Sequence, residues 1–405
     1  MNCRIICTLK FMLWILLIGS MVSCHNEKNE KMKIIWTRLP VKGLDGNLQK
    51  GVSAAYAALI DGKLIVAGGA NFPGKPGFEG GSKASYDEIL LFDSGQNTWN
   101  IIGYLPQPSA YGVSVPVSDG ALWIGGNTPT ESLASCYKVS APEGDPIELK
   151  PFIPLPLAID NFAGCAVDDM VFVGGGNVNG KPSNAFYCID AKNDSAWRVL
   201  PDFPGIPRVQ PVMAAIKKDG KQYVYLLGGF FGGNTDSKPA MATDVLRYDI
   251  AAQSWEAVGE QTDTETGKPF SLGGATAMAV DNKYILCLGG VNYNIFLDAI
   301  TTQYTIGNDI TTSAEEKSRL NLKFSKNYMT QPVEYYRFNP ECRIYDINTN
   351  RWETIEVTPN TARAGATLVS DGNIFYAVQG ELKPGVRSPE TWKGEIHSLN
   401  SKINR

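Results

Sequence analysis

The stretch VYLLGGF at residues 224–230, followed by VLRYDIAAQSW at residues 245–255, decides the fold. The first phrase is a run of apolar, β-branched and aromatic residues that ends in two glycines. The second phrase carries a Tyr-Asp pair, a turn and a tryptophan. Runs of this kind, bounded by turn residues, are typical of short antiparallel strands. The stretch predicts a strand ending in Gly-Gly, a loop, a strand with the Tyr-Asp pair, a turn and a strand containing Trp255.

Variants of both phrases recur along the chain. The glycine phrase recurs as LIVAGGAN, ALWIGGN, VFVGGGN, YILCLGGVN and IFYAVQGE, and the tryptophan phrase as ILLFDSGQNTW, AFYCIDAKNDSAW and CRIYDINTNRW. Such a unit resembles the kelch repeat of about 50 residues, which forms a four-stranded blade of a β-propeller. We therefore predict an all-β, six-bladed kelch β-propeller. The blades fall at roughly 52–106, 111–156, 161–204, 211–258, 275–357 and 366–399.

Three parts of the chain depart from the repeat. The last blade lacks its Trp strand, and KIIWTRLP at 33–40 is expected to supply it and remove the open edges. An unrelated N-terminal strand is the alternative. The second blade has no Trp phrase, so its outer strand is expected to be degenerate. The fifth blade carries an insertion at about 293–340, in which AEEKSRLNLKF is rich in helix formers. A lid over the site and a passive decoration are both open for this insertion.

The N-terminus has the composition of an export signal. Arg4 and Lys10 flank the start of a short apolar run, which ends in MVSC at Cys24. This tetrad resembles a bacterial lipobox, which predicts lipidation of Cys24 and an exported, periplasmic protein anchored to a membrane by lipid. A plain secretory signal with a chance cysteine is the alternative. The predicted organisation is a signal peptide at 1–24, a polar tether at 25–32 and the propeller at 33–405.

Composition narrows the possible chemistry. The balance of 37 basic and 41 acidic residues gives no footprint for nucleic acid. The five cysteines after Cys24 are widely spaced, which favours buried free thiols over disulfides or zinc, so no metal or other cofactor is expected. Only His25 and His397 are present, which leaves proton transfer to carboxylates, Lys, Arg or Tyr.

The loops after the second strands and those before the first strands should meet at one central mouth. In the last blade Glu381 takes the place of the residue after the glycines, which makes it the natural candidate for a base. The candidates for substrate binding are Asn71, Phe72, Asn127, Asn161, Asn177, Arg208, Asn292 and Arg363. Amides and aromatic rings suit a small polyhydroxylated ligand. Turn formation is the alternative for each Asn, and an ion pair is the alternative for Arg208 and Arg363.

Four further stretches resemble the N-acetylneuraminate epimerase (sialic acid mutarotase) family of kelch proteins, in particular its cyclically permuted subset. They are GGANFPGKPGFEGG at 68–81, NYMTQPVEYYRFNP at 327–340, TARAGA at 361–366 and GELKPGVRS at 380–388. The resemblance implies that Glu381 is the proton acceptor and that Arg387 acts beside it. It also implies a sugar acid as substrate and acid–base opening and closure of the ring, which interconverts the α- and β-anomers of N-acetylneuraminic acid.

Other functions remain open from the sequence. A non-catalytic carbohydrate-binding lipoprotein would need the same amides and aromatics without the chemistry of Glu381. A mutarotase for a different sugar is also compatible with these residues. A sialidase is disfavoured, because its Ser-x-Asp-x-Gly-x-x-Trp boxes are approached only once, by FDSGQNTW at 92–99, and with the wrong spacing.

Overall fold

Antiparallel sheets form the framework of the described chain. The computed structural model describes residues 32–141 and 146–397, so the predicted signal peptide, Cys24 and nearly all of the tether lie outside the described residues. No helix within the described ranges is long and apolar enough to cross a membrane. The fold is all-β in its framework, with one helical insertion.

Six sheets have four strands each, arranged in antiparallel order. Sheet one contains Tyr56–Ile60, Lys63–Ala67, Glu88–Asp93 and Thr98–Tyr104. Sheet two contains Val113–Val117, Gly120–Ile124, Cys136–Ser140 and Glu148–Phe152. Sheet three contains Ala163–Val167, Met170–Gly174, Phe186–Asp190 and Arg198–Leu200. Sheet two therefore has a complete outer strand, although the sequence predicts a degenerate one.

The remaining sheets follow the same order with two additions. Sheet four contains Val212–Lys218, Lys221–Leu227, Asp244–Asp249 and Ser254–Glu260. Sheet five contains Ala275–Val280, Tyr284–Gly289, Glu341–Asp346 and Arg351–Val357, with the helices between its second and third strands. Sheet six contains Thr367–Asp371, Ile374–Val378, Thr391–His397 and, as its outer strand, the N-terminal Lys33–Arg38.

The N-terminal strand pairs antiparallel with Thr391–His397, and Trp36 lies opposite Gly394. A Cβ atom on Gly394 would lie 2.2 Å from the ring of Phe375, so only glycine lets this ring lie across the strand. Phe375 in turn packs edge-to-face on Trp36, with ring centroids 5.4 Å apart. The two ends of the described chain are therefore joined within one sheet.

Apolar clusters fill the space between neighbouring sheets. Successive side chains of a strand point to opposite faces of the sheet. Each central strand therefore contributes residues to two apolar clusters, one on each face. In sheet one, Val66 packs toward Val369 of sheet six, whereas Ile65 packs toward Trp123 of sheet two. The other clusters lie between sheets two and three, three and four, four and five, and five and six. All five described cysteines are free and buried, as predicted.

In every sheet except sheet two, the recurring tryptophan forms a hydrogen bond with the preceding sheet or with the chain just after its outer strand. In sheets one, three, four and five, the indole N–H donates to a backbone carbonyl just beyond the preceding outer strand or at its end. The pairs are Trp99 with Pro40, Trp197 with Ile153, Trp255 with Pro201 and Trp352 with Glu260, at 2.9–3.0 Å. Trp36 donates instead to the Glu356 carboxylate of sheet five. A buried indole needs such an acceptor, which explains why the phrase ends in Trp.

Three helices interrupt sheet five: α1 (Tyr293–Asn308), α2 (Ala314–Met329) and α3 (Val333–Tyr336). The side chain of Ser313 caps α2 by accepting a hydrogen bond from the N–H of Glu316. The helix predicted for AEEKSRLNLKF is thus confirmed. Three short 3-10 turns, Gly46–Lys50, Gly77–Glu79 and Pro359–Thr361, lie in the loops.

Short strand pairs follow the glycine phrases. They are Ala70–Asn71 with Ala84–Ser85, Ile159–Asp160 with Asn177–Val178 and Lys181–Pro182, Phe230–Phe231 with Ala240–Met241, and Glu381–Lys383 with Val386–Arg387. They lie at one end of the sheets, where the second strands finish. This end carries the candidate site.

Candidate active site

A closed cycle of backbone hydrogen bonds lies just before the first strands of the six sheets. Each sheet supplies one residue with a left-handed backbone: Ala54, Tyr111, Asn161, Gln210, Gly274 and Gly365, with φ between 53° and 69°. The N–H of each donates to the carbonyl of its counterpart in the preceding sheet over 2.7–3.1 Å, and the N–H of Ala54 donates to Gly365 to complete the cycle. The central backbone is thereby held in one arrangement.

The cycle is uneven in its side chains. Tyr111, Asn161 and Gln210 follow one another in one half of the cycle and carry large polar side chains. Gly274, Gly365 and Ala54 make up the other half, where the backbone has almost no side chain. A ligand at this mouth would therefore meet polar groups on one side and open backbone on the other.

The residues after the glycines surround this cycle. Antiparallel bridges join Ser53 to Ala70, Ala110 to Asn127, Asp160 to Asn177, Val209 to Phe230 and Ala364 to Glu381. In each bridge the first residue directly precedes a member of the cycle. The structure thus brings together the loops that the sequence predicts to converge, and Glu381 lies beside Gly365.

Glu381 and Arg387 form a tight pair within one hairpin. The two residues lie opposite each other across the turn formed by Pro384 and Gly385. Oε1 of Glu381 accepts hydrogen bonds from Nη1 of Arg387 at 2.5 Å and from the N–H of Gly385 at 2.8 Å. Within the described residues, Oε2 of Glu381 makes no hydrogen bond. The Glu381 side chain is 24% exposed and that of Arg387 is 4% exposed, so the carboxylate is partly accessible while the guanidinium is enclosed.

The Arg387 guanidinium is fixed from sheet one. Its Nε donates to Oγ of Ser53 at 3.1 Å and to the carbonyl of Ala70 at 3.3 Å. The ring of Phe72 lies 5.6 Å from its Cζ, in the range of a cation–π contact. Nη2 makes no hydrogen bond among residues 32–141 and 146–397. The pair is therefore rigid on one side and retains one donor and one acceptor.

Four of the residues predicted to bind substrate have structural partners instead. Asn71 is 2% exposed, donates to the carbonyls of Gly51 and Asn47, and accepts from the Tyr86 hydroxyl. Asn292 caps α1 by accepting from the N–H of Ile295 at 3.2 Å. These contacts hold loops in place and use both groups of the Asn71 amide, whereas Nδ2 of Asn292 makes no hydrogen bond within the described residues. Substrate binding by these two amides stays a prediction.

The two arginines also have structural partners. Arg208 has no exposed surface and grips the Asp244 carboxylate with both terminal nitrogens, at 2.6 and 3.0 Å. Arg363 is 3% exposed and donates from Nη1 to the carbonyls of Gln379 and Glu390. Burial lowers the pKa of Arg363, although the nearby Glu390 carboxylate acts in the opposite direction. Arg208 therefore forms the ion pair given as its alternative. Nη2 of Arg363 lies 3.7 Å from a Glu390 oxygen, and its buried Nε makes no hydrogen bond within the described residues, so substrate binding by Arg363 stays a prediction.

The remaining amides line the mouth opposite Glu381. Asn161 and Asn177 both donate to the Asp160 carboxylate, at 2.5 and 2.9 Å. Asn127 lies in the same sector, paired through its backbone with Ala110, and its Oδ1 is buried without a partner in the described part of the chain. These three positions keep the side-chain capacity that a substrate contact requires.

The helical insertion packs against the Glu381 hairpin. Nζ of Lys383 donates to the carbonyls of Met329 and Gln331, at 3.2 and 2.5 Å. Tyr336 of α3 is buried in one cluster with Ala364, the bridge partner of Glu381, and its hydroxyl donates to the carbonyl of Tyr328. The insertion is therefore part of the wall of the mouth, not a distant decoration.

Tyr328 is a candidate that sequence reasoning missed. Burial, its neighbours Tyr336 and Tyr335, and the negative charge of Glu381 raise its pKa, so the phenol stays protonated. Its hydroxyl makes no hydrogen bond within the described chain. The stretch NYMTQPVEYYRFNP contained the signal, but only the hydrogen bonds from Lys383 to Met329 and Gln331 show that the end of α2 lies against the Glu381 hairpin.

A separate cavity of about 250 Å³ runs between the first strands of all six sheets. Small and apolar residues line it, among them Ala58, Ala166, Ala214 and Ala279, and no Asp, Glu, Lys, Arg or His does so. The cavity therefore lacks groups for proton transfer or for binding an anion. The candidate residues for proton transfer lie at the mouth instead.

Comparisons with known proteins agree on one family. The sequence profile of N-acetylneuraminate epimerase matches residues 21–145 and 152–404. The N-acetylneuraminate epimerase of Haemophilus influenzae (strain PittEE) is 32% identical over 243 residues, which cover 60% of this chain and 58% of that protein. N-acetylneuraminate epimerase 1 of Escherichia coli O6:H1 is 31% identical over 54% of this chain and 53% of its own length.

The matched regions are shorter than the proteins. Each alignment spans less than two thirds of the curated relative it involves. The solved structure of YjhT is 24% identical and has a TM-score of 0.49, over 62% of this chain and 68% of its own. The family profile nevertheless covers nearly all of the chain from residue 21 onward. On that match, the chain belongs to the N-acetylneuraminate epimerase family.

Proposed function

We propose that this chain is a sugar mutarotase that interconverts the α- and β-anomers of N-acetylneuraminic acid. The observation that carries the proposal is the Glu381–Arg387 pair, in which one carboxylate oxygen is fixed and the other makes no hydrogen bond within the described residues. A carboxylate held in this way can take up a proton and return it without moving. The names of the relatives supply the identity of the sugar.

Ring opening requires one base and one acid. Glu381 accepts the proton of the C2 hydroxyl, the bond between C2 and the ring oxygen breaks, and C2 becomes a ketone carbonyl. The ring oxygen takes a proton from the Tyr328 hydroxyl. After rotation about the bond from C2 to C3, the same oxygen attacks the other face of the ketone, and both protons return to the groups that supplied them. The cycle leaves enzyme and sugar in their original protonation states.

Arg387 has a more restricted role than a bidentate clamp on the substrate. Nη1 of Arg387 already donates to Glu381, and Nε donates to Ser53. Only Nη2 is therefore available to donate to the carboxylate of the sugar. We assign Arg387 two tasks, which are to position the base and to contribute one charged hydrogen bond to the sugar acid. Phe72 covers the guanidinium and limits its contact with water.

The framework that presents these groups is, in our proposal, a closed six-bladed kelch propeller. The cycle of six backbone hydrogen bonds, the apolar cluster between sheets six and one, and the pairing of Lys33–Arg38 with the last strands support closure. The Glu381 motif lies in the last sheet, as expected of a circular permutation. A permuted order also accounts for alignments that cover only part of each relative.

We further propose that the protein is exported and held at a membrane by a lipid on Cys24, so that it meets free sugar acids in the periplasm. The apolar run and the MVSC tetrad before residue 25 support this. Labelling with a radioactive fatty acid, compared between the full chain and its Cys24→Ala variant, tests the anchor. Equal label in both proteins would overturn it.

The decisive experiment is proton NMR of α-N-acetylneuraminic acid released in the tube by a sialidase. The signals of the α- and β-anomers are followed with and without the protein. We expect the approach to equilibrium to be faster with the protein and to scale with its concentration. The Glu265→Gln variant, which alters an exposed carboxylate in the loop between sheets four and five, is the matched control and should behave as the wild type.

Two negative results have different meanings. If the folded protein shifts ligand signals but leaves the rate of conversion unchanged, it is a carbohydrate-binding module and the enzymatic proposal is wrong. If neither anomer binds but another sugar mutarotates faster, the chemistry stands and the substrate assignment falls.

A further inference from the structure

Asp160 is a buried carboxylate at the mouth with no cation beside it. It is 5% exposed, and within the described residues no Lys or Arg contacts it. Its Oδ1 accepts from Nδ2 of Asn161 and of Asn177, and its Oδ2 accepts from the hydroxyl of Ser132. A buried charge is stabilised only when neighbouring donors are directed at it. Here amides and a hydroxyl supply those donors, and this fixes how the amides are turned.

The orientation of the amides follows from the charge. A carboxylate accepts hydrogen bonds and cannot donate them, so both Asn side chains must turn their NH₂ groups toward Asp160. Oδ1 of Asn161 then points away, where it accepts from Nε2 of Gln210 at 3.0 Å. Gln210 must in turn present Oε1, which lies 3.1 Å from the position of a Cβ atom on Gly274. One buried charge thus orients three amides in series.

Two carbonyl oxygens of this row are turned away from Asp160 and are free to accept, although each NH₂ group also keeps a second N–H. They are Oδ1 of Asn177 and Oε1 of Gln210, neither of which has a hydrogen-bond partner within the described chain. Oδ1 of the neighbouring Asn127 also lacks a partner among the described residues, but it is buried. The two free oxygens of the row can accept from groups that donate, namely hydroxyl and N–H groups of a ligand. They differ in this from Arg387, whose free nitrogen is a charged donor.

The row also lies opposite the base. Around the cycle of six hydrogen bonds, Asn161 is the third member and Gly365, beside Glu381, is the sixth. A sugar acid has the same polarity along its length. Its carboxylate and reacting carbon are at one end of the ring, and its hydroxylated side chain and amide N–H lie toward the other end.

We propose that Asp160 is a positioning residue that makes this row an acceptor surface, and that the row binds the hydroxylated side chain of the sugar. This inference rests on the proposed function, because it takes the reacting end of the sugar to lie at Glu381. The row selects sugar acids with a donor-rich tail over shorter ones, while the chemistry remains with Glu381 and Arg387.

The test compares two sugars and does not require turnover. Binding of N-acetylneuraminic acid at anomeric equilibrium, and of its analogue with the side chain shortened by two carbons, is measured by calorimetry. The proteins are the wild type and Asp160→Asn. An amide at position 160 can donate as well as accept, so Asn161 and Asn177 are free to turn over. We expect affinity for the intact sugar to fall roughly tenfold and affinity for the short analogue to change little.

Controls separate this role from general destabilisation. Ser132→Ala removes the donor to Oδ2 and leaves both amides facing a carboxylate, so the preference for the intact sugar should persist. Gln210→Met removes the terminal acceptor without touching Asp160 and should reduce the preference even if Asp160→Asn fails to fold. Equal loss of affinity for both sugars in both variants would overturn the inference and leave Asp160 with a structural role only.

The result is separable from the proposed function. A protein that prefers the intact sugar but does not accelerate mutarotation would refute the enzyme and retain the acceptor row. A protein that accelerates mutarotation but binds both sugars alike, before and after Asp160→Asn, would retain the enzyme and refute the row. In the active enzyme, the variant should raise KM for the intact sugar and leave kcat nearly unchanged.

Discussion

Arg208 and Arg387 are both buried, and each holds a carboxylate, but the two pairs differ in what they leave free. Arg208 binds both oxygens of Asp244 and donates from Nε to the carbonyl of Ile206. Arg387 binds one oxygen of Glu381 and anchors its Nε on Ser53. In the first pair all three nitrogens of the guanidinium and both carboxylate oxygens have partners. In the second, one nitrogen and one oxygen have none within the described residues.

The difference separates a saturated ion pair from one that keeps a free donor and a free acceptor. A saturated bidentate pair joins two parts of the fold and has nothing left to offer a ligand. An unsaturated pair at a mouth is held by the protein on one side only, so a substrate can complete it. The number of free donors and acceptors therefore indicates function better than burial does, since both arginines are almost fully buried.

The largest effect should follow from removing the base. In Glu381→Gln the amide keeps the size of the side chain but cannot take up the proton of the C2 hydroxyl. We expect kcat for mutarotation to fall by about 10²- to 10⁴-fold, with sugar binding retained. NMR of the anomers gives the rate, and calorimetry gives the affinity. Activity at the wild-type level in this variant would remove Glu381 from the chemistry.

The matching change in the saturated pair should affect stability instead. Asp244→Ala leaves the Arg208 charge buried without its partner, and breaking such a pair costs about 3 kcal/mol or more. Denaturant unfolding should show this loss, whereas mutarotation per folded molecule should stay near the wild-type value. The double variant Arg208→Met with Asp244→Leu should recover much of the stability. A selective loss of kcat in folded Asp244→Ala would contradict the distinction drawn between the two pairs.

Tyr328→Phe tests the proton donor that completes the open pair. Its kcat should fall by roughly 10- to 100-fold with little change in KM, because only the hydroxyl is removed. Burial first, then Tyr336, Tyr335 and Glu381, raise the pKa of Tyr328 above that of ordinary tyrosine, which is about 10. The donor therefore stays protonated as pH rises, and its alkaline limb should lie above pH 10. A limb below pH 10 that disappears in Tyr328→Phe would refute the assignment.

The sequence predicts well what is local along the chain. Glu381 and Arg387 are six residues apart and meet across one turn, so a motif is enough to pair them. The strand phrases likewise correspond to sheets whose strands follow one another in order. Even so, sheet two forms its outer strand Glu148–Phe152 without the Trp phrase, because backbone pairing with Cys136–Ser140 is sufficient.

What the sequence misses depends on distant partners. Arg208 looks available until Asp244, 36 residues away, is seen to bind it. Asn71 looks like a ligand amide until Asn47, Gly51 and Tyr86 are found to use its hydrogen bonds. The sequence indicates only that Tyr328 lies in a helix. The structure shows that the end of this helix packs against the Glu381 hairpin. A sequence motif shows which types of residue are present. Whether such a residue can bind a ligand depends on whether its donors and acceptors already have long-range partners in the fold.

The smallest effect separates charge from geometry in the open pair. Arg387→Lys retains the positive charge but loses the planar fork, so one ammonium group cannot serve Ser53, Glu381 and the sugar carboxylate together. Loss of the charged hydrogen bond from Nη2 should raise KM roughly tenfold, and kcat should fall less. Arg319→Lys, on the exposed face of α2, is the matched control and should change neither constant. If KM and kcat of Arg387→Lys matched those of Arg319→Lys, a positive charge alone would be sufficient at position 387. The free Nη2 would then no longer distinguish the Glu381–Arg387 pair from the Arg208–Asp244 pair.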